Sequence, residues 1–121
     1  MQFAYTTAMR ISAEIAKQAP KHTVLKDVFG FDGFRPGQEQ VIDTLLSGEN
    51  VLTVMPTGSG KSLCFQIPAL ITGGLTIVVS PLVALMEDQV AALEYAGVAA
   101  DAINSSRLRE ENIATWRRAA A

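Results

Sequence analysis

The stretch MPTGSGKSLCFQ occupies Met55 to Gln66, directly after the apolar run Val51-Leu52-Thr53-Val54. Asn50 to Met55, which contains that run, reads as a short buried strand, and a helix should begin near Gly60. A strand, a glycine-bearing loop and a helix in that order form a phosphate-binding arrangement. Gly58 and Gly60 carry no side chains, so the backbone can wrap closely around an anion. Successive N–H groups then point inward at the positive end of the helix dipole. Lys61 adds a point charge for the terminal phosphates, and Ser62 offers a hydroxyl to Mg²⁺. Thr57 and Ser59 complete the loop. The strict pattern G-x-x-x-x-G-K-[ST] has glycine where this chain has Met55, and the match is complete from Gly58 onward. The competing reading, a glycine-rich turn with an incidental lysine, leaves the flanking strand and helix unexplained.

Working outward, strands and helices alternate. Thr23 to Phe29 has Val24, Leu25 and Val28 on one face, with Gly30 as a stop. Pro36 to Leu46 reads as a helix with Pro36 at its first position, Val41, Ile42, Leu45 and Leu46 at helical spacing, and Gly48 ending it. The helix from Gly60 carries Leu63, Phe65, Ile67 and Leu70, and Pro68 predicts a kink or restart within it. Gly73-Gly74 is a turn, and Leu75 to Val79 a second buried strand. Leu82 to Tyr95 is the clearest helix, with Leu82, Leu85, Met86, Gln89, Val90 and Leu93 along one stripe and Gly97 as its stop. Val98 to Ile103 reads as a third strand, and Arg107 to Arg118 as a polar helix with Trp116 its one large apolar residue. The expected class is α/β, with βαβ units and a parallel sheet flanked by helices. Residues 1–20 read as a weakly helical lead-in or linker closed by Pro20.

The totals exclude several classes. The chain has 121 residues, 49% hydrophobic and 18% charged, a globular composition of one domain's length. A net charge of −2 argues against a general basic coat for nucleic acid but permits a local groove. The single cysteine, Cys64, rules out an internal disulfide or a cysteine-rich zinc module, and reads as a small buried hydrophobe in a reducing cytoplasm. No apolar run reaches the roughly 18 residues of a membrane span, and the first residues lack the apolar centre of a signal peptide.

Three further stretches carry a family resemblance. LKDVFGFDGFRPGQEQVI, Leu25 to Ile42, resembles the motif that precedes the phosphate loop in RecQ-type DNA helicases, with Leu25, Phe29, Gly30, Phe34, Arg35, Gln38, Val41 and Ile42 in place. VVSPLVALMEDQV, Val78 to Val90, resembles that family's next motif, and INSS, Ile103 to Ser106, the one after. The resemblance implies a RecA-like P-loop fold for residues 21–121, forming the N-terminal part of a helicase lobe that uses ATP and Mg²⁺. It implies that Phe31 stacks on adenine, that Gln38 meets the adenine edge and that Arg35 helps hold that site, with Thr57, Gly58, Ser59, Gly60, Lys61 and Ser62 around the phosphates and Ser62 on the metal. Ser80, Pro81 and Leu82, with Gln89 and Asn104 as further candidates, would line a track for single-stranded or junction DNA through phosphate and sugar contacts. The family usually has lysine at position 87, and this chain has Glu87, which weakens the case for strong electrostatic DNA binding.

The sequence contains no Asp-Glu pair for the family's Asp-Glu-x-His motif, and Glu110-Glu111 follows no strand. The arginine finger and the second lobe are likewise not found. The leading expectation is therefore part of an ATP-dependent 3′ to 5′ DNA helicase, cytoplasmic and nucleoid-associated if bacterial, whose 121 residues alone do not hydrolyse ATP. The alternative is a short module that binds nucleotide or a helicase without turnover. A third reading, an unrelated P-loop kinase, is disfavoured by FGFDGFRPGQ upstream of the loop.

Overall fold

The computed structural model describes residues 5–10, 21–56, 58 and 60–121. They fall into two compact units, residues 21–73 in one and residues 5–10 with 74–121 in the other.

In the first unit, α1 (Lys21–Asp27), α2 (Gln38–Leu46) and α3 (Lys61–Thr72) pack together, with α3 in contact with both of the others. Val24, Leu25, Ile42, Ile67 and Leu70 are buried, as their helical spacing requires. Lys21 fastens α1 to α2 by reaching the Asp43 carboxylate at 2.6 and 2.8 Å and Glu39 at 2.7 Å. The sequence placed Pro36 at the first position of α2; the helix instead starts at Gln38. Gly37, at φ 87°, turns the chain into it from a left-handed conformation. Pro36 lies in the preceding turn, which Gln38 closes through both its backbone N–H to the Arg35 carbonyl at 3.1 Å and its side chain. α3 runs through the buried Pro68 as one element.

The strand expected at Asn50–Met55 does not form. The segment is extended, with Val51, Thr53 and Met55 half-buried, while Leu52 and Val54 are 93% and 91% exposed. The alternation of a strand is present, but among the described residues of this unit no strand lies beside it to bond.

The second unit is built on a three-stranded sheet of order β2-β1-β3, comprising β1 (Tyr5–Arg10), β2 (Thr76–Ser80) and β3 (Ala99–Ile103). β1 is antiparallel to both neighbours, Tyr5 opposite Ser80 on one side and Thr6 opposite Ile103 on the other. β2 and β3 therefore point the same way and are joined by α4 (Val83–Tyr95), the expected βαβ crossover. The hydrogen-bonded ladders, however, are antiparallel rather than parallel. Two parallel strands one position apart leave facing rows of unpaired N–H and C=O groups, and a short segment rich in threonine fills them. Within the lead-in read as weakly helical, residues 5–10 are thus a strand; residues 1–4 and 11–20, with Thr57 and Ser59, lie outside the described residues.

Met86 and Val90 of α4 pack on Ala102 of β3, with Val83 and Ala100 beside them. Leu82 and Leu85, assigned by spacing to the same stripe, are 58% and 46% exposed. α5 (Arg109–Ala120) packs on β3 and is capped by Glu111, whose carboxylate accepts from the Leu108 N–H at 3.1 Å. Glu111 is thereby employed as a helix cap.

Candidate nucleotide and nucleic-acid sites

In the first unit the phosphate loop and the upstream motif meet at Gln38. Its side chain is 1% exposed. Oε1 accepts from the Arg35 N–H at 2.8 Å, and Nε2 donates to the Gly60 carbonyl at 2.9 Å. A glutamine amide carries two donors and two acceptor positions, and these two bonds use one of each. Arg35 reinforces the join, its Nη1 donating to the Gly58 carbonyl at 2.5 Å. Gly58 and Gly60 sit at φ 82° and 80°, a region that L side chains rarely adopt. A Cβ on Gly60 would lie 2.3 Å from Gln38 Nε2, so glycine is also required there for space.

These residues line a cavity of about 300 Å³ with Phe31, Gly33, Ser62 and Leu63, at the lower end of the range for small-molecule sites. Phe31 is 49% exposed, so it is not a core residue. Lys61 heads α3 and its Nζ donates to the Met55 carbonyl at 3.3 Å, spanning the loop. Gly60 is the helix N-cap and makes no side-chain cap bond, and a helix N-terminus is where backbone N–H groups favour an anion. A loop of left-handed glycines before a helix start, with a cationic side chain, a hydroxyl and an aromatic rim, fits a nucleoside triphosphate with its magnesium ion. Cys64 is buried in α3, and burial pushes its thiol pKa up.

In the second unit, Ser80, Pro81 and Leu82 form the junction from β2 into α4. Ser80 Oγ accepts from the Leu82 N–H at 3.2 Å, and Pro81 and Leu82 are exposed. Gln89 lies further along α4, half-buried. Asn104 is 5% exposed and holds a turn together. Its amide oxygen accepts from Ser106 N at 3.0 Å and Ser106 Oγ at 2.7 Å, and its amide nitrogen donates to Glu87 Oε1 at 2.7 Å. Asn112 donates to its carbonyl at 2.9 Å. The exposed groups of this turn are Ser105 and Ser106.

Sequence reading missed the charges behind that turn. Arg107 grips Glu87 in a fork, Nε to Oε1 at 3.0 Å and Nη2 to Oε2 at 2.8 Å, and its Nη1 reaches Asp101 Oδ1 at 2.6 Å. Asp101 is also held by Thr115 Oγ1 at 2.9 Å and by Arg118. The available signal was Glu87 itself, whose unexpected sign calls for a cation. The Arg107 guanidinium and the Asn104 amide hold the Glu87 pKa at about 2, below its usual 4.5. Partial burial raises Asp101, but the Ala102 N–H, Thr115, Arg118 and Arg107 outweigh it and the net shift is downward. A depressed carboxylate stabilises the fold above its unfolded pKa and loses that contribution as it is protonated. Acid titration is therefore expected to remove on the order of 1–2 kcal/mol between pH ~4.5 and ~2, after allowance for solvent screening. Glu87→Gln should flatten that limb in a pH series of thermal melts.

The sequence profile of the DEAD/DEAH box helicase family matches residues 35–118. The chain belongs to that family. Helicase membership brings the RecA-like P-loop fold with it, and the RecQ-type resemblance holds. Similar curated relatives are the ATP-dependent DNA helicase RecQ of Haemophilus influenzae, 52% identical over 82% of this chain, and that of Pasteurella multocida, 57% identical over 69%. The ATP-dependent DNA helicase Q1 of Rattus norvegicus is 47% identical over 74%. The chain spans 16%, 13% and 14% of these helicase relatives respectively. All three are enzymes by name, which does not favour the non-hydrolysing alternative. Among the described residues, no helix is long and apolar enough to cross a membrane.

Proposed function

We propose that this chain supplies the adenine-nucleotide site and part of the DNA track of a RecQ-like, ATP-dependent 3′ to 5′ helicase. The observation that carries the reading is Gln38, which joins the upstream motif to the phosphate loop through Arg35 and Gly60. Phe31 stacks on the base, and the remaining donor and acceptor of Gln38 meet its edge. The loop from Thr57 to Gly60 wraps the phosphates with its N–H groups, and Lys61 leaves the Met55 carbonyl to neutralise the terminal charge. Ser62 presents its hydroxyl to Mg²⁺. The ion, when bound, offsets charge on the β- and γ-phosphates.

Residues Ser80, Pro81 and Leu82 contact the backbone of a single strand, aided by Gln89 and by the turn that Asn104 shapes. Such contacts are sequence-tolerant. The wider sheet of the lobe is parallel in this reading, and the protein works in the cytoplasm on junction-bearing DNA. The 121 residues alone bind ATP without turning it over. The test is strand displacement by the protein that contains these residues, on duplexes with a 3′ or a 5′ single-stranded tail. ATP-dependent displacement from the 3′ tail is expected. Displacement without ATP, or ATP turnover indifferent to single-stranded DNA, would overturn the reading.

A further inference from the structure

Glu87 lies on α4, five residues beyond Leu82. It faces the turn after β3 and holds that turn at two points, through the Asn104 amide at 2.7 Å and through the Arg107 fork at 2.8 and 3.0 Å. The helix that Ser80–Leu82 lead into and the Asn104–Ser106 turn are thus joined through one side chain. Arg107 is committed in turn. Three of its nitrogens are bonded to Glu87 or Asp101, and its side chain is 24% exposed. Asp101 is anchored by Thr115 and Arg118 of α5. The whole latch therefore draws on α4, β3, the turn and α5. A carboxylate facing a DNA track should repel phosphate. Here its charge is taken up by a forked guanidinium before it can act outward.

We propose that Glu87 is a positioning residue for single-strand binding, acting with Arg107 as a latch that fixes the Asn104–Ser106 turn to the start of α4. This rests on the DNA-track reading given above. Two effects of opposite sign separate the latch from plain electrostatics. If Glu87 acts only as a negative charge, Glu87→Ala tightens DNA binding, Arg107→Ala loosens it, and the double variant falls between. If the pair acts as a unit, both single variants loosen binding and the double variant is no worse than the weaker single.

The experiment is fluorescence anisotropy with a labelled oligothymidine across a salt series, for the parent protein and the three variants. Each single variant is expected to bind about 5-fold more weakly, and the slope of log affinity against log salt should stay unchanged, since no phosphate contact is lost. Tighter binding or a steeper slope in Glu87→Ala, or additive single effects, would overturn the latch. Amide exchange gives a readout independent of DNA: Ser105, Ser106 and Arg107 should exchange roughly 10-fold faster in either single variant. Unchanged exchange also overturns the latch. A parent protein that ignores oligothymidine would refute the DNA-track reading and the positioning role together, with exchange still deciding whether Glu87 and Arg107 hold the turn.

Discussion

Replacing Gly60 with alanine is expected to destabilise the chain by about 2–4 kcal/mol and to weaken nucleotide binding roughly 100-fold, from combined backbone strain and a broken buried amide pair. Two physical terms add. Gly60 sits at φ 80°, where a Cβ meets the neighbouring carbonyl at about 1–2 kcal/mol. The new Cβ would also lie 2.3 Å from Gln38 Nε2. A flexible surface side chain would swing aside at little cost. Gln38 cannot, because it is 1% exposed and bonded at both ends, to Arg35 N and Gly60 O. Moving it leaves those backbone groups unpaired. Thermal denaturation and titration with a fluorescent ATP analogue check both halves. A variant that melts and binds like the parent would show that Gln38 does not lock the loop.

Lys61→Ala should behave in the opposite way. Lys61 is exposed, and its bond to the Met55 carbonyl is long at 3.3 Å. Removing an exposed side chain of this kind changes stability by no more than ~0.5 kcal/mol. Its charge matters when phosphate charge develops, so ATP turnover by the protein containing these residues is expected to fall about 10²–10³-fold. Single-turnover ATP hydrolysis alongside a melt separates chemistry from folding. Turnover within twofold of the parent would remove Lys61 from the site. The two variants together distinguish a residue that builds the loop from one that works in it.

The parts legible in the sequence were those whose cause is local. Ile42, Ile67 and Val90 follow from helical spacing, and Gly48 and Gly97 mark helix ends because only glycine takes φ 87° and 86° there without strain. The cavity was legible because the upstream motif, with Phe31, Arg35 and Gln38, and the loop, with Gly58 and Gly60, are each continuous stretches. What was not legible depends on partners distant in sequence. Val51 to Met55 has a strand's alternation, yet a strand exists only where another backbone answers it. Tyr5 to Arg10 carries little apolar patterning, and its pairing follows from the slot between β2 and β3. The Glu87–Arg107 pair spans 20 positions and needs the crossover of α4 to bring its halves together. Leu85 was misplaced because an evenly apolar helix does not declare which flank will be covered.

The origin of the middle strand bears on where this protein can be cut. The family profile matches from Arg35, while the strand that holds the sheet together ends at Arg10. An expression boundary chosen from that match would discard Tyr5–Arg10 and leave Thr76–Ser80 and Ala99–Ile103 about 9.5 Å apart, twice the normal strand spacing. Each would then expose a fresh row of backbone donors and acceptors, a template for self-association. For recombinant work Tyr5–Arg10 belong with the sheet they hold together and should be kept with it.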